Sequence, residues 1–510
     1  MLALEQLLLL FVAAVLLAAA ARRVGAPYPV FLAVGGALLA FLPGAPSFTV
    51  PPDLALALFV APVLLDAAYD TSLRDLRDNW APVTGLVIFA VGLTTAAVAV
   101  VAHALVPQLP WPAAIALGAI VAPPDAVAAT AVLRPLRPPH RLLTILEGES
   151  LLNDASALLI YRIAVGAAAA SSFSLSAIAP VFLLGVVGSL AAGLALAWLN
   201  LRLIERLQHI PTAIILQFVS TIGIWMVAEH VGLSGVLTTV CYAISLAQGA
   251  PQRIGARLRI PTNAVWETVV FALNILAFIF IGLQIRPIVE NLSAAEWGPY
   301  FATAGAVVVT VIVVRIAWHM TFNGAVRWRH RQRGFHPPRP MLRPTFGSGL
   351  LVSWSGMRGV VTLAAALALP AAFPYRDLIL LTSFAVVLGT LVIQGLTLKP
   401  FLRALHLHDE DPVGHEVTAA RDRALRAALA RLADDPSPSA QYYREQFIAR
   451  LTQAVGDGAR RANRDMRRDA LQAARQAVIA MRAGDEIGDD AFHRIEQELD
   501  WIEMAGGQDG

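Results

Sequence analysis

Residues 147–154 read Glu-Gly-Glu-Ser-Leu-Leu-Asn-Asp and continue directly into an apolar segment of the chain. Glu147, Ser150 and Asp154 are spaced i, i+3 and i+7, so on a helix they share one face. Because a helix rises about 1.5 Å per residue, Asp154 would lie about 10 Å deeper than Glu147. An ionisable group at the centre of a membrane helix costs about 2.5–3.5 kcal/mol. The pattern therefore predicts a site for a small cation or a proton inside a membrane, with Asp154 as its deep carboxylate and Glu147 as an entrance charge.

The composition indicates a membrane protein. The chain has 510 residues, of which 57% are hydrophobic and 15% are charged, whereas soluble domains carry about 25% charged residues. Each apolar segment can cross a hydrocarbon core of roughly 30 Å, some with tilt or a break. We therefore predict an all-α polytopic membrane protein with about thirteen transmembrane helices in residues 1–402. The segments are 2–21, 27–43, 53–69, 80–106, 110–133, 142–169, 178–203, 212–230, 233–249, 264–287, 299–323, 347–372 and 376–402.

The arginines alternate between connections, which is the pattern that sets orientation in membranes. One set of alternate connections is rich in arginine, whereas the opposite set contains only Arg286 and Arg376. Arg22 and Arg23 follow the first apolar run instead of preceding it, which indicates an uncleaved first helix and not a signal peptide. These features predict an external N-terminus and a cytoplasmic C-terminus in the cell (plasma or inner) membrane. The arginine-rich connections contain Arg22, Arg23, Arg74, Arg77, Arg134, Arg137, Arg141, Arg202, Arg206, Arg253, Arg257, Arg259, Arg327, Arg329, Arg331, Arg333, Arg339 and Arg343.

Residues 403–510 differ from the rest, because they are rich in Arg, Asp, Glu, Gln and Ala. Short amphipathic stretches recur at 424–432, 442–455 and 491–504, which predicts a helical cytoplasmic tail. The tail is either a solvated appendage or a regulatory or dimer-contacting domain, and the sequence leaves both interpretations open.

Several ionisable residues fall well inside the predicted spans. At roughly 3 kcal/mol each they would cost on the order of 25 kcal/mol in total, which exceeds the net stability of most domains. They must therefore be paired, hydrated or protonated, as in an ion pathway. These residues are Asp66, Asp125, Glu147, Glu149, Asp154, Arg162, Glu267, Arg315 and Arg358.

Two spans are interrupted. Two prolines precede Asp125 near 122–126, and proline cannot continue the hydrogen-bond ladder of a helix. Non-helical backbone survives at membrane depth only where it lines a cavity or is buried in protein. Two glycines flank Arg358 near 353–359, so a second broken helix is expected there. Arg358 could neutralise helix C-termini, or pair with a buried acid, while Asp125 could neutralise helix N-termini.

The remaining charges suggest a plan for the whole membrane region. Arg315 needs a carboxylate partner, for which Glu149 is the candidate, and Glu267 is either a mouth residue or a helix-start charge. The breaks fall in the fifth and twelfth spans, and Asp66 and Glu267 fall in the third and tenth. Each pair is separated by an odd number of spans, which predicts two inverted six-helix repeats, as in secondary transporters.

At these residues the chain resembles the monovalent cation:proton antiporter-1 family, the sodium/proton exchangers, over roughly residues 5–405. The form it resembles is the bacterial one with a hydrophilic tail. Besides 147–154, the resemblance rests on 62–68, 118–129, 356–361 and the pair Trp266-Glu267 followed by 280–283.

The resemblance implies a homodimer that exchanges a monovalent cation, Na⁺ first, for H⁺. Asp154 would be the shared carboxylate, and Asn153 would mark electroneutral exchange. Ser150, Asp125 and the backbone carbonyl of Pro124 would complete the ion site. Arg315 and Arg358 fall at the family's membrane arginines, with Glu149 as structural partner, while Asp66, Glu147 and Glu267 belong to the entrance or second shell.

One departure concerns the first break. The family usually has Thr-Asp-Pro, whereas this chain has Pro124-Asp125-Ala126. A side-chain hydroxyl is therefore missing, which leaves K⁺/H⁺ or broad Na⁺/K⁺/Li⁺ exchange as the alternative function.

Other classes of function fit the sequence less well. An intramembrane hydrolase would need paired aspartate motifs or a base beside Ser150, and the sixth span carries no histidine within 142–169. A membrane sensor would need a signalling motif in the tail, and none is recognisable. No enzymatic activity, no cofactor beyond the transported ion, and no nucleic-acid partner are expected; the partners are the cation, the proton and membrane lipids.

Overall fold

The computed structural model describes most of the chain. The described residues are 2–24, 26–42, 54, 56–136, 138–169, 175–207, 209–290, 292–334, 344–405, 407, 412–453 and scattered positions between 472 and 499. These residues form helices and their connections, with no strand among them, which confirms the all-α prediction.

The first half of the membrane region consists of helices α1 to α9. Two π-helical segments, Leu56–Val60 and Gly85–Ala90, run directly into α3 and α6. The helices are α1 (Leu2–Val24), α2 (Tyr28–Leu39), α3 (Ala61–Asp70), α4 (Leu73–Asp78), α5 (Trp80–Thr84), α6 (Val91–Leu105), α7 (Trp111–Val121), α8 (Ala126–Leu133) and α9 (His140–Ala169).

The second half continues to Leu405. Its helices are α10 (Leu175–Ile204), α11 (Ile210–His230), α12 (Gly235–Arg253), α13 (Ala256–Leu283), α14 (Ile285–Glu290), α15 (Trp297–Arg333), α16 (Phe346–Trp354), α17 (Val360–Leu367) and α18 (Arg376–Leu405). The apolar segments predicted from the sequence are thus mostly helical over their described residues, apart from the interruptions at 122–125 and 355–359 and a few residues at segment ends. Among the described residues, eight helices are long and apolar enough to cross a membrane, and α2 and residues 235–250 form shorter apolar helices. The count of thirteen crossings and the inverted repeat stay predictions.

Both predicted interruptions are present. Residues 122–125 separate α7 from α8, and residues 355–359 separate α16 from α17. The second break is shorter than the predicted 353–359, because Ser353 and Trp354 still belong to α16. The two breaks touch each other, since the Asp125 N–H donates to the Met357 carbonyl over 2.7 Å. Two pairs of half-helices thus meet at one point inside the protein.

Two glycines permit a close crossing of α2 and α13. A Cβ on Gly36 of α2 would collide with the Ile279 carbonyl of α13, and a Cβ on Gly282 would collide with the backbone of α2. Such close approach is how membrane helices gain packing energy without a hydrophobic driving force between them. The crossing fixes α13 against α2.

The hydrophobic core has two main clusters. The first surrounds the broken helices and includes Leu117, Phe278 and Leu363. The second joins α3 to α10–α13 and includes Leu65, Tyr242 and Trp266. Half-helix α17 also reaches the second cluster, since Val360 and Val361 pack against it.

The chain divides into two compact units, Met1–Glu410 and Asp411–Gly510. The sequence suggested a division between 402 and 403, a position that lies inside α18. The second unit contains α19 (Pro412–Leu432) and α20 (Pro438–Gln453). These helices include the predicted stretch 424–432 and most of 442–455, while 491–504 lies almost entirely outside the described residues.

Candidate ion-binding site

A cavity of about 260 Å³ lies beside the crossing of the broken helices. It runs from the crossing to partly exposed side chains at the far end of α8. The wall is formed by two breaks, by α3 and by the 147–154 segment of α9. Its polar and charged lining residues are Tyr28, Asp66, Asp70, Asp125, Thr130, Arg134, Glu147, Ser150, Asp154, Asn274 and Thr362.

Asp154 lies deep in this cavity. The residue is only 6% exposed, and within the described part of the chain no donor forms a hydrogen bond with its carboxylate. A buried carboxylate without a partner is costly when ionised. Asp154 therefore requires a proton or a bound cation to offset the charge of its carboxylate.

Asp125 lies across the cavity at the first break. Its Oδ1 accepts from the Val127 N–H over 2.8 Å, which caps the N-terminus of α8. Its other carboxylate oxygen contacts Gly359, immediately before α17, at the place where a Cβ would otherwise stand. The partial positive charge of a helix N-terminus stabilises a nearby anion. The Asp125 carboxylate thus caps α8 and lies against the residue that precedes α17.

Asn153 and Ser150 connect α9 to the first break. The Asn153 Nδ2 donates to the Pro124 carbonyl over 3.2 Å, while its Oδ1 has no partner among the described residues. The Ser150 hydroxyl accepts from the Ala126 N–H over 3.1 Å. Each acceptor oxygen retains a second lone pair. The Pro124 carbonyl, which the sequence assigned to the ion, therefore already accepts one hydrogen bond in this structure.

Glu149 and Arg315 form a bidentate ion pair, the pairing expected from the sequence. Their N–O distances are 2.5 and 2.8 Å, and their side chains are 1% and 3% exposed. Arg315 also donates to the carbonyls of Ser353 and Val352 at the C-terminal end of α16. The pair therefore ties α9 and α15 to one half-helix.

Arg358 lies at the second break and is 1% exposed. It donates to the carbonyls of Val121 and Ala122 at the end of α7, over 3.0 and 3.2 Å, and to the carbonyl of Gly356. The structure thus favours the first of the two interpretations of Arg358, in which its charge neutralises helix C-termini. Because both buried arginines are engaged elsewhere, neither forms an ion pair with Asp154.

The outer part of the cavity carries its own charges. Arg134, at the C-terminal end of α8, pairs with Glu147 over 2.9 Å, and both side chains are partly exposed. Asp66 and Asp70 of α3 line the same cavity. Glu267 does not line it; a neighbouring cavity of about 220 Å³ contains Glu267 together with Asp66, Asp70 and Arg134.

Asp70, Arg134 and Asn274 are lining residues that the sequence did not single out. Asp70 follows Asp66 by four residues, so helical spacing placed it on the same face. Arg134 and Asn274 gave no such signal, because their position depends on how α8 and α13 pack. Arg162, counted among the charges within spans, is half-exposed and pairs with Glu229 over 2.5 Å.

The arrangement suits a small monovalent cation. Carboxylate, hydroxyl and amide side chains line this cavity, and hard cations prefer oxygen ligands. Among the described residues, no group of three His, Cys, Asp or Glu side chains forms a cluster of the kind that holds a resident metal ion.

Relatives of known name cover almost the whole chain. A protein of Mycobacterium tuberculosis named as an uncharacterised Na⁺/H⁺ exchanger is 30% identical, over 94% of this chain and 92% of the relative. A sodium, potassium, lithium and rubidium/H⁺ antiporter of Bacillus subtilis is 28% identical, over 94% and 74%. A low-affinity Na⁺/H⁺ antiporter of Synechocystis is 29% identical, over 84% and 81%.

A solved structure supports the fold. The structure of the sodium proton antiporter MjNhaP1 from Methanocaldococcus jannaschii at pH 8 superimposes with a TM-score of 0.60, covering 79% of this chain and 99% of that one at 17% identity. The family model for the transmembrane sodium/hydrogen exchanger matches residues 8–404. Because this model matches most of the chain, and because the broken helices and the 147–154 segment resemble the same family, the chain belongs to the sodium/hydrogen exchanger family.

Proposed function

We propose that the protein exchanges a monovalent cation for H⁺ across the membrane, with Asp154 as the carboxylate that both ligands share. The observation that carries this proposal is the state of Asp154. It is buried, it faces a cavity, and neither a donor nor an arginine among the described residues satisfies it. Membership of the exchanger family supports the same reaction.

The proposed cycle uses competition at this one carboxylate. Ionised Asp154 binds the cation together with Ser150 and Asp125, and Asn153 contributes its free Oδ1. Protonation of Asp154 removes the negative charge and releases the cation. Alternating access then requires the helices that carry the site to move against the rest of the membrane region, as in other transporters with discontinuous helices.

Na⁺ is the proposed cation, and a broad Na⁺/K⁺/Li⁺ specificity is the second candidate. The relative from Bacillus subtilis is named for four cations, which favours the second candidate. Pro124 also supplies only a backbone carbonyl where the family usually has threonine. We expect Pro124→Thr to raise the preference for one cation over the others, measured as a ratio of KM values. Equal ratios in the variant and the wild type would contradict a role for this position in selectivity.

Further parts of the proposal concern the assembly and its membrane. The protein would act as a homodimer in the cell membrane, surrounded by lipids, with an external N-terminus, a cytoplasmic tail and no cofactor. Asn153 beside Asp154 supports electroneutral exchange. The distribution of arginines supports the orientation, because basic connections are retained on the cytoplasmic side.

Exchange can be tested with the purified protein in liposomes. Internal pH is followed with a fluorescent dye while Na⁺, K⁺ or Li⁺ is added outside. We expect cation-dependent pH changes with the wild type and none with Asp154→Asn, with insertion checked by size-exclusion elution in detergent. Glu205→Gln, a change in an exposed surface pair with Arg253, serves as control. Robust exchange by Asp154→Asn would overturn the proposal.

A further inference from the structure

The cavity is lined by more acidic than basic side chains. The described charged residues of the lining are five carboxylates and one guanidinium, that of Arg134. A cleft lined by one sign of charge raises the local concentration of the opposite ion. Among the described residues that line this cavity, Arg134 is the only basic side chain and so the only one positioned there to oppose cation entry.

Arg134 is held at the mouth of the cavity by its ion pair with Glu147, and two further carboxylates line the same cavity. Its Nη2 lies 2.9 Å from the Glu147 Oε1, and the two side chains are 62% and 31% exposed. It lines both cavities, and Asp66 and Asp70 also line both. The Arg134 guanidinium is long and largely exposed, so it can pair with Asp66 or Asp70 instead of Glu147. These alternative partners lie in the cavity through which the cation must pass.

The position of Arg134 in the fold connects it to the ion site. Half-helix α8 begins after Asp125 and leads to Arg134 nine positions later, a distance of about 13 Å along its axis. Glu147 and Asp154 lie on one helix, α9. The Arg134–Glu147 ion pair thus joins α8 to α9 on the side of the cavity mouth, while Asp125 and Asp154 of the ion site lie deeper along the same two elements.

We propose that the Arg134 guanidinium is a tethered competitor of the transported cation, held on Glu147 and able to turn toward Asp70 and Asp66, so that this pair sets the apparent cation affinity. This inference rests on the proposed exchange function. Arg134 is a positioning residue here, because it acts through the charge of the cavity and does not contact the ion site.

The proposal makes opposite predictions for the two members of the pair. Arg134→Gln removes the competing charge and lowers KM for Na⁺ about two- to fivefold, the effect of one charge at this distance in a wet cavity. Glu147→Gln frees the guanidinium to enter the cavity and raises KM by a similar factor. The double variant returns KM toward the wild-type value, and Arg134→Lys keeps it.

The experiment measures KM and the maximal rate of Na⁺-dependent exchange in liposomes for these four variants. Arg77→Gln, an exposed arginine on α4, is the control for loss of positive charge outside the cavity. We expect unchanged maximal rates, and shifts in KM that shrink when choline chloride screens the charges.

Three results would overturn the tether. They are an unchanged KM in Arg134→Gln, a KM in Arg134→Lys equal to that of Arg134→Gln, and a common loss of maximal rate in both single variants and the double. Exchange by the wild type would still stand in each case. A wild-type chain without exchange would instead overturn both the proposed function and the tether.

Discussion

At the scale of the residue, the site separates two kinds of buried charge. Glu149 and Arg315 satisfy each other, and Arg358 satisfies backbone carbonyls. Asp154 has neither kind of partner among the described residues. A charged group that is paired within the protein stabilises the structure. A carboxylate without a partner in the protein can instead bind a proton or a cation and transport it. This contrast distinguishes the roles of the three acids within 147–154.

The Glu149–Arg315 pair offers a test of the structural role. Glu149→Gln leaves the Arg315 guanidinium buried without its anion, which we expect to cost about 3–5 kcal/mol. Thermal unfolding in detergent measures the change. The double variant Glu149→Leu/Arg315→Met removes both charges and should be the less destabilised of the two. A single variant as stable as the wild type would contradict the assignment of the pair to structure.

Gly359 gives a second prediction at this scale. A methyl group there would occupy the space of the Asp125 carboxylate, so Gly359→Ala should displace Asp125 and strongly reduce exchange. Gly305→Ala on α15, where a Cβ meets nothing within 4 Å, is the matched control. The liposome assay compares the two, and full activity of Gly359→Ala would show that the contact is dispensable.

At the scale of the element, the two broken helices are stabilised by side chains from elsewhere in the chain. Asp125 and Ser150 serve the N-terminus of α8, whereas Arg358 and Arg315 serve the ends of α7 and α16. A break inside a membrane leaves backbone groups without partners, and each costs free energy unless it is satisfied. The breaks are therefore specific structures and not simple kinks at proline.

Arg358 is the residue that joins both breaks. Arg358→Lys keeps the positive charge but cannot reach the carbonyls of α7 and Gly356 together, because lysine lacks the planar fork of donors. Each carbonyl left unsatisfied should cost about 1–3 kcal/mol. We expect a lower midpoint of thermal unfolding in detergent and reduced exchange. A variant equal to the wild type in both would contradict the capping role.

The breaks were predictable because proline and glycine act locally, near Asp125 and Arg358. The partner of Arg315 was also predictable, since a buried arginine demands a carboxylate. The contact of Asn153 with the Pro124 carbonyl was not, because it joins residues 29 positions apart. The place of Arg134 in the cavity was not predictable either, because in the sequence an arginine at the end of a short half-helix looks like an ordinary solvated charge.

At the scale of the whole molecule, charge balance is the property to measure. Asn153 beside Asp154 leads us to expect one H⁺ for each monovalent cation, so exchange should not respond to voltage. A membrane potential imposed across the liposomes should leave the initial rate of Na⁺-dependent pH change unaltered. A rate that rises and falls with the sign of the potential would contradict electroneutral exchange.

The most direct test of the shared carboxylate is proton release on cation binding. Na⁺ is added to the purified protein in weakly buffered detergent solution, and released protons are counted over a range of pH. We predict a release that approaches one proton per chain at its maximum and is absent in Asp154→Asn. Equal release by the wild type and Asp154→Asn would contradict the claim that cation and proton compete for Asp154.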